Sequence, residues 1–167
     1  MLGDLYLCAS MVDKAAFEER LAAASAAGYR GIGIRPTHYK AARASGLTDA
    51  DMRAMLDDHG LELIEIGFIA DWWETGEKAK RAQAYERVLY AIKDALGGRH
   101  VMMISGPTTD GLEQLAGRFA GVCYRAAEHG LRVGLETLPW TDMHDVSIAW
   151  RIAELSGRPN GGPVYDT

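Results

Sequence analysis

Apolar positions along the chain fall into a recurring unit: a stretch of helical period, a glycine, then a short apolar run. Ala26-Ala27-Gly28 leads into Gly31-Ile32-Gly33-Ile34, and Asp58-His59-Gly60 leads into the run 61–67. Leu96-Gly97-Gly98 precedes the run 100–105, Glu128-His129-Gly130 the run 131–136, and Leu155-Ser156-Gly157 the run 162–166. Each glycine suits the left-handed position that closes a helix, where a Cβ is penalised. Between the glycines the pattern is that of amphipathic helices. Leu112, Leu115, Phe119, Val122, Cys123 and Ala126 share one face, as do Tyr85, Val88, Leu89, Ile92 and Leu96. Phe17 and Leu21 begin the stripe of the first helix, and Thr48 with Asp51 reads as a capping box ahead of Met52, Met55 and Leu56.

Six strands are therefore predicted, near 5–10, 31–35, 61–67, 100–105, 131–136 and 162–166, in one domain spanning 1–167. The third and fourth are near-continuous apolar runs, as parallel strands covered by helices tend to be. Strict strand–helix alternation implies parallel strands with right-handed crossovers, in an open doubly wound sheet or a closed barrel. The first strand–helix turn, Cys8-Ala9-Ser10-Met11-Val12-Asp13, carries neither G-x-G-x-x-G nor G-K-[ST], so no nucleotide-binding fingerprint supports the open sheet.

Charge and composition then remove several functions. The net charge is −5 and Lys and Arg are scattered; the local excess Lys78-Ala79-Lys80-Arg81 sits on what reads as a solvated helix face. A nucleic-acid partner would call for a basic stripe instead. Apolar stretches are strand-sized, so no membrane span is predicted. Asp4 ahead of the run 5–10 is the wrong charge for a secretory signal. Cys8 and Cys123 make no disulfide framework or zinc spacing and read as small buried hydrophobes, which suits a cytoplasmic protein.

The candidate chemistry gathers at strand ends. Glu136 ends strand 5 and Asp166 ends strand 6. In a (β/α)8 barrel the C-terminal strand ends converge on the active site. Carboxylates on two adjacent ends repel each other unless a proton or cation is shared, and a divalent metal meets that need; the plainer alternative is that both cap loop amides. Among the histidines, His59 and His129 precede helix-ending glycines, where a cation complements the dipole, and His100 opens strand 4. His38 after strand 2 and His144 after strand 5 lie on the active face as candidate substrate contacts. Trp72 and Trp73 follow strand 3 and Trp140 follows strand 5, as walls for a carbon skeleton or as rim packing. Arg35 ends strand 2, placed to grip a carboxylate or phosphate or to pair with a loop carboxylate. Ser105-Gly106-Pro107 reads as a plain turn.

On G-Y-R-G-I-G-I at strand 2, G-L-E-L-I-E-I-G-F at strand 3, G-L-E-T-L-P at strand 5 and V-Y-D-T at strand 6, the chain resembles the xylose isomerase-like TIM barrels, the sugar phosphate isomerase and epimerase superfamily. The resemblance implies an incomplete (β/α)8 barrel of about five and a half units. It implies a divalent metal (Mn, Mg, Zn or Co) with Glu136 as first and Asp166 as second of four ligands, Glu136 serving also as general acid/base. The implied substrate is a sugar, sugar phosphate or similar small hydroxy-carbonyl compound, and the implied chemistry is isomerisation, epimerisation or dehydration by proton abstraction. The family's remaining His and Glu ligands have no counterpart up to Thr167, so the chain is expected to be C-terminally truncated and inactive alone. Arg35 stands where many members carry an acidic residue. Two alternatives remain. An endonuclease IV-like metal phosphodiesterase needs His at the ends of strands 3 and 4, where Phe68-Ile69-Ala70-Asp71 and Ile104-Ser105-Gly106 have none. A non-catalytic half-barrel used as an assembly module would leave strands 1 and 6 as open edges. Homo-oligomerisation stays open.

Overall fold

The structure is a computed structural model that describes residues 4–164. Its elements are β1 (Tyr6–Leu7), α1 (Phe17–Ala26), β2 (Gly31–Ile34), α2 (Pro36–Ala44), α3 (Asp49–Asp58) and β3 (Glu62–Ile69). They continue with α4 (Gly76–Leu96), β4 (His100–Ile104), α5 (Leu112–Glu128), β5 (Arg132–Glu136), α6 (Val146–Ser156) and β6 (Gly161–Val164). The strand order is β1-β2-β3-β4-β5-β6. Neighbours β1–β2, β2–β3, β4–β5 and β5–β6 pair in parallel. Strand order follows chain order throughout, as in a (β/α)8 barrel and unlike a doubly wound sheet, whose order reverses.

Helix boundaries follow local chemistry. Thr48 Oγ1 accepts the Asp51 N–H at 3.1 Å and Asp51 Oδ2 accepts the Thr48 N–H at 2.7 Å, closing the expected capping box of α3. Gly60, after α3, has φ +64°, the left-handed turn that its missing Cβ permits. Helix α2 was not expected. Its stripe is almost bare of large apolar residues, and what starts it is Pro36 in the first turn, with φ already set for a helix. Strand β1 is shorter than expected: the chain leaves it at Leu7, so Cys8 is exposed, with Sγ 3.1 Å from Ser10 Oγ, and is not the buried hydrophobe anticipated. Cys123 is buried, and burial pushes its thiol up to about 12.

Two compact units divide these elements, one running to Gly67 and including Ala91–Arg99, the other taking Phe68–Tyr90 and the residues from His100 on. In the first, β3 carries an extra residue against β2. Ile32 stands opposite Leu63 and Gly33 opposite Glu65, leaving Ile64 as a bulge. The bulge lets Leu63 and Ile66, three apart, both be buried. Leu21, Ala24, Ile32, Ile34, Met52 and Ile92 are also fully enclosed in this core. Arg20 of α1 is also wholly buried; its Nη1 donates to the Ala9 carbonyl at 3.2 Å.

In the second unit, residues alternate cleanly. Val101, Met103, Val133 and Leu135 are buried, while Met102, Ile104, Gly134 and Glu136 lie on the opposite, half-buried face of β4 and β5. Leu115, Phe119, Val122, Cys123 and Ala126 of α5 are buried as the periodicity predicts, but Leu112 at its first turn is exposed. On α4 the expected Tyr85 is exposed and the carboxylate Glu86 is buried, at 2% exposure. The reason lies on α5: Arg125 grips Glu86 through Nε at 2.7 Å and Nη2 at 2.9 Å, and the Tyr90 hydroxyl donates to it at 3.2 Å. Among the described residues no helix is long and apolar enough to cross a membrane.

Candidate functional site

Glu136 is the last residue of β5, half-buried, on the face opposite the buried Val133 and Leu135. It stands in register with Ile104 of β4 and Val164 of β6. On that face Gly134 leaves room: a Cβ there would lie 2.5 Å from Val164 Cγ2 and 3.3 Å from Met102 Sδ. The backbone from the Glu136 carbonyl to Leu138 is tied to one residue. The Ser105 N–H donates to the Glu136 carbonyl at 3.0 Å, and Ser105 Oγ accepts the Leu138 N–H at 2.8 Å. Ser105 Oγ is also 2.8 Å from Thr141 Oγ1, and the Thr141 hydroxyl donates to the Leu138 carbonyl at 2.9 Å. Thr141 has a single proton, given to Leu138, so Ser105 is the donor between the two hydroxyls. The result is a one-way ring that begins and ends on the peptide groups of Leu138. Ser105, buried, is therefore no plain turn residue but the latch that holds the segment after Glu136. Ser105 and Thr141 are 36 positions apart, so no local pattern marked them as partners.

The other expected site residues are placed as follows. Asp166, expected as the second carboxylate, lies outside the described residues. Trp72 is buried at 5% exposure, its Nε1–H donating to the Ile104 carbonyl at 2.9 Å and its ring edge-on to Phe119 with centroids 6.3 Å apart. Trp140 is 80% exposed in the loop after β5. His144 is exposed in the same loop, with Nδ1 3.3 Å from the Thr141 carbonyl.

In the first unit, Arg35 caps α2 and His38 is in its first turn. His38 is buried at 8% exposure; its Nδ1 accepts the Arg35 N–H at 3.1 Å and its Nε2 donates to Asp13 Oδ1 at 2.9 Å. Arg35 Nη1 reaches the same Asp13 oxygen at 3.4 Å. Asp13, between β1 and α1, is the residue that sequence reasoning missed. The His38 hydrogen bond, helped by the charge of Arg35, holds its carboxyl below the usual range against some desolvation. Arg35 thus has the loop carboxylate named as the plainer of its two roles.

Among the described residues no group of three or more His, Cys, Asp or Glu side chains is arranged to hold a metal ion. Glu136 offers one carboxylate at a strand end, which by itself is not a metal centre.

No curated protein matches the chain by sequence. Solved structures do resemble it in fold. The IOLI protein with a binding zinc atom matches with TM-score 0.83 at 15% identity, over 96% of this chain and 62% of that one. The probable 3-DHS dehydratase AsbF from Bacillus anthracis matches with TM-score 0.80 at 17% identity, over 96% and 62%. D-psicose 3-epimerase in the presence of D-fructose matches with TM-score 0.70 at 14% identity, over 95% and 61%. The chain thus spans about three fifths of the length of each of these. The model of the xylose isomerase-like TIM barrels matches residues 21–167. With parallel strands in chain order, a helix after each of β1 to β5 and a carboxylate closing β5, the chain belongs to the xylose isomerase-like TIM barrel family.

Proposed function

We propose that this chain carries the proton-transfer carboxylate of a divalent-metal-dependent isomerase, epimerase or dehydratase acting on a small hydroxy-carbonyl compound, such as a sugar or sugar phosphate. The observation that carries the reading is Glu136, set at the C-terminal end of β5 on its half-buried face and followed by a backbone pinned through Ser105. A general base must be held within hydrogen-bond reach of the proton it takes. Glu136 would remove the proton from the carbon between carbonyl and hydroxyl. Returning it to the opposite face gives the epimer, returning it to the neighbouring carbon gives the isomer, and loss of a β-hydroxyl gives the dehydrated product. The similar folds of an epimerase and a probable dehydratase support this range of outcomes.

Glu136 and Asp166 are the residues of this chain that would hold the metal, in keeping with the zinc of the IOLI protein. A bound divalent ion would supply Lewis-acid stabilisation of negative charge on the substrate oxygens. The chain holds at most half of the expected four-ligand set, so net turnover by the chain alone is small, and proton exchange is the sensitive readout. Incubated in D2O with Mn2+ and a panel of ketoses and their phosphates, the wild-type chain should wash deuterium slowly into the carbon next to the carbonyl. Glu136→Gln should reduce that exchange to background. Exchange that persists in Glu136→Gln, or none with any compound by the wild type, overturns the reading.

A further inference from the structure

The chain has a single asparagine, Asn160, and a glycine follows it. The pair stands where the chain passes from α6 into β6, and tertiary packing accounts for both residues. Asn160 Nδ2 donates to the Cys123 carbonyl at 2.9 Å and to the Leu131 carbonyl at 3.0 Å, tying α5 to the residue ahead of β5. Two carbonyls call for two N–H donors on one short side chain, which is what the asparagine amide supplies. At Gly161 a Cβ would stand 2.5 Å from Phe119 Cε1 and 2.7 Å from Cys123 Sγ. Both of those side chains are fully buried, so there is no room for a larger residue. The fold thus selects asparagine followed by glycine at this point.

That dipeptide has a chemistry of its own. The Gly161 nitrogen, on losing its proton to hydroxide, can attack the side-chain carbonyl carbon of Asn160. A C–N bond forms, the bond to Nδ2 breaks, and ammonia leaves with a proton from water. A second water opens the resulting succinimide at either carbonyl, giving aspartate, or isoaspartate with the backbone rerouted through the side chain. Glycine favours the attack because it has no Cβ to obstruct its nitrogen. In the folded chain the reacting groups are held apart from this path. The Gly161 N–H donates to the Arg158 carbonyl at 3.2 Å, and the Asn160 carbonyl accepts the Val133 N–H at 2.8 Å. Both protons of Asn160 Nδ2 are engaged as well. Ring closure would break these bonds and turn Gly161 out of its register opposite Val133. The product cannot restore them, because an ionised aspartate offers only acceptors to two carbonyl oxygens. We propose that Asn160–Gly161 is a deamidation site that the native fold keeps closed and unfolding opens, so that unfolding becomes irreversible here.

With no other asparagine in the chain, the intact mass reports on this site, rising by the difference between an amide and an acid. The full chain is incubated in mildly alkaline buffer, folded and in denaturing guanidinium, and sampled over days. Deamidation should run at least about tenfold faster in guanidinium, since a modification reached through opening follows the population of the open form. Asn160→Gln, which would have to close a larger ring, should lack the fast phase. Chain deamidated while unfolded and then returned to buffer should show a lower urea midpoint than untreated chain, or fail to refold, and Asn160→Asp should behave in the same way. The proposal is overturned if no mass is gained in guanidinium, if folded and unfolded chains react at equal rates, or if the fast phase survives in Asn160→Gln. A deamidated chain that refolds with an unchanged urea midpoint overturns it too.

Discussion

Both ring nitrogens of His38 are committed in the folded chain. Nδ1 accepts the Arg35 amide and Nε2 donates to Asp13, so a second proton would set an N–H against an N–H. Burial, helped by the charges of Arg20 and Arg35, holds the imidazole below its ordinary value although the Asp13 bond pulls the other way. The sign of the pH effect follows. Above about pH 6.5 the ring is neutral in folded and unfolded chains alike and contributes no pH dependence. Below that, the unfolded chain takes up a proton that the folded chain refuses, so stability falls as pH falls. Asp13 acts in a separate window: its lowered pKa adds stability above about pH 4, lost as pH drops through the folded value. The urea midpoint of the wild type should therefore decline more between pH 7.5 and 5.5 than that of His38→Gln. Equal declines would mean that His38 is not depressed. From residue type and strand-end position, Arg35, His38 and Glu136 could be singled out. Asp13 and Ser105 could not, because what makes them matter is a partner far along the chain.

Helices α4 and α5 show how an amphipathic stripe misleads. Hydropathy puts Tyr85 on the buried face and leaves Glu86 in solvent, whereas the structure does the reverse. A carboxylate is tolerated inside because a guanidinium 39 positions away satisfies both of its oxygens. Removing the cation should then hurt more than removing the pair. Arg125→Ala should destabilise by roughly 2–3 kcal/mol, less than for a fully enclosed pair because the Arg125 side chain is 36% exposed. The double variant Glu86→Met with Arg125→Met should recover most of that loss. Urea denaturation of the three proteins decides it; a double variant as unstable as Arg125→Ala would mean that packing, not the stranded charge, was lost. At this scale the positions of most strands and helices were legible, since period and glycine chirality act over a few residues. Helix α2 was not, because Pro36 starts it without an apolar stripe to announce it.

For the molecule as a whole, parallel strands in chain order set the architecture, and the family match over residues 21–167 agrees with it. The described residues hold no ready-made metal cluster, and Glu136 is a single carboxylate. Calorimetric titration of the chain with Mn2+ or Zn2+ should accordingly show weak binding, reduced further in Glu136→Gln. Tight stoichiometric binding would show that other side chains complete a site. The sequence by itself determined the alternation, the parallel fold class, the capping of α3 and the placement of a carboxylate at the end of β5. Each of these rests on spacing within one element or on the repetition of one unit. Only the tertiary structure decided that Cys8 is exposed, that Glu86 is buried, that Ser105 latches the backbone beyond Glu136, and that the buried Trp73 N–H has no acceptor among the described residues. Those outcomes depend on which distant groups meet and on whether each buried donor finds an acceptor, and no local periodicity encodes that.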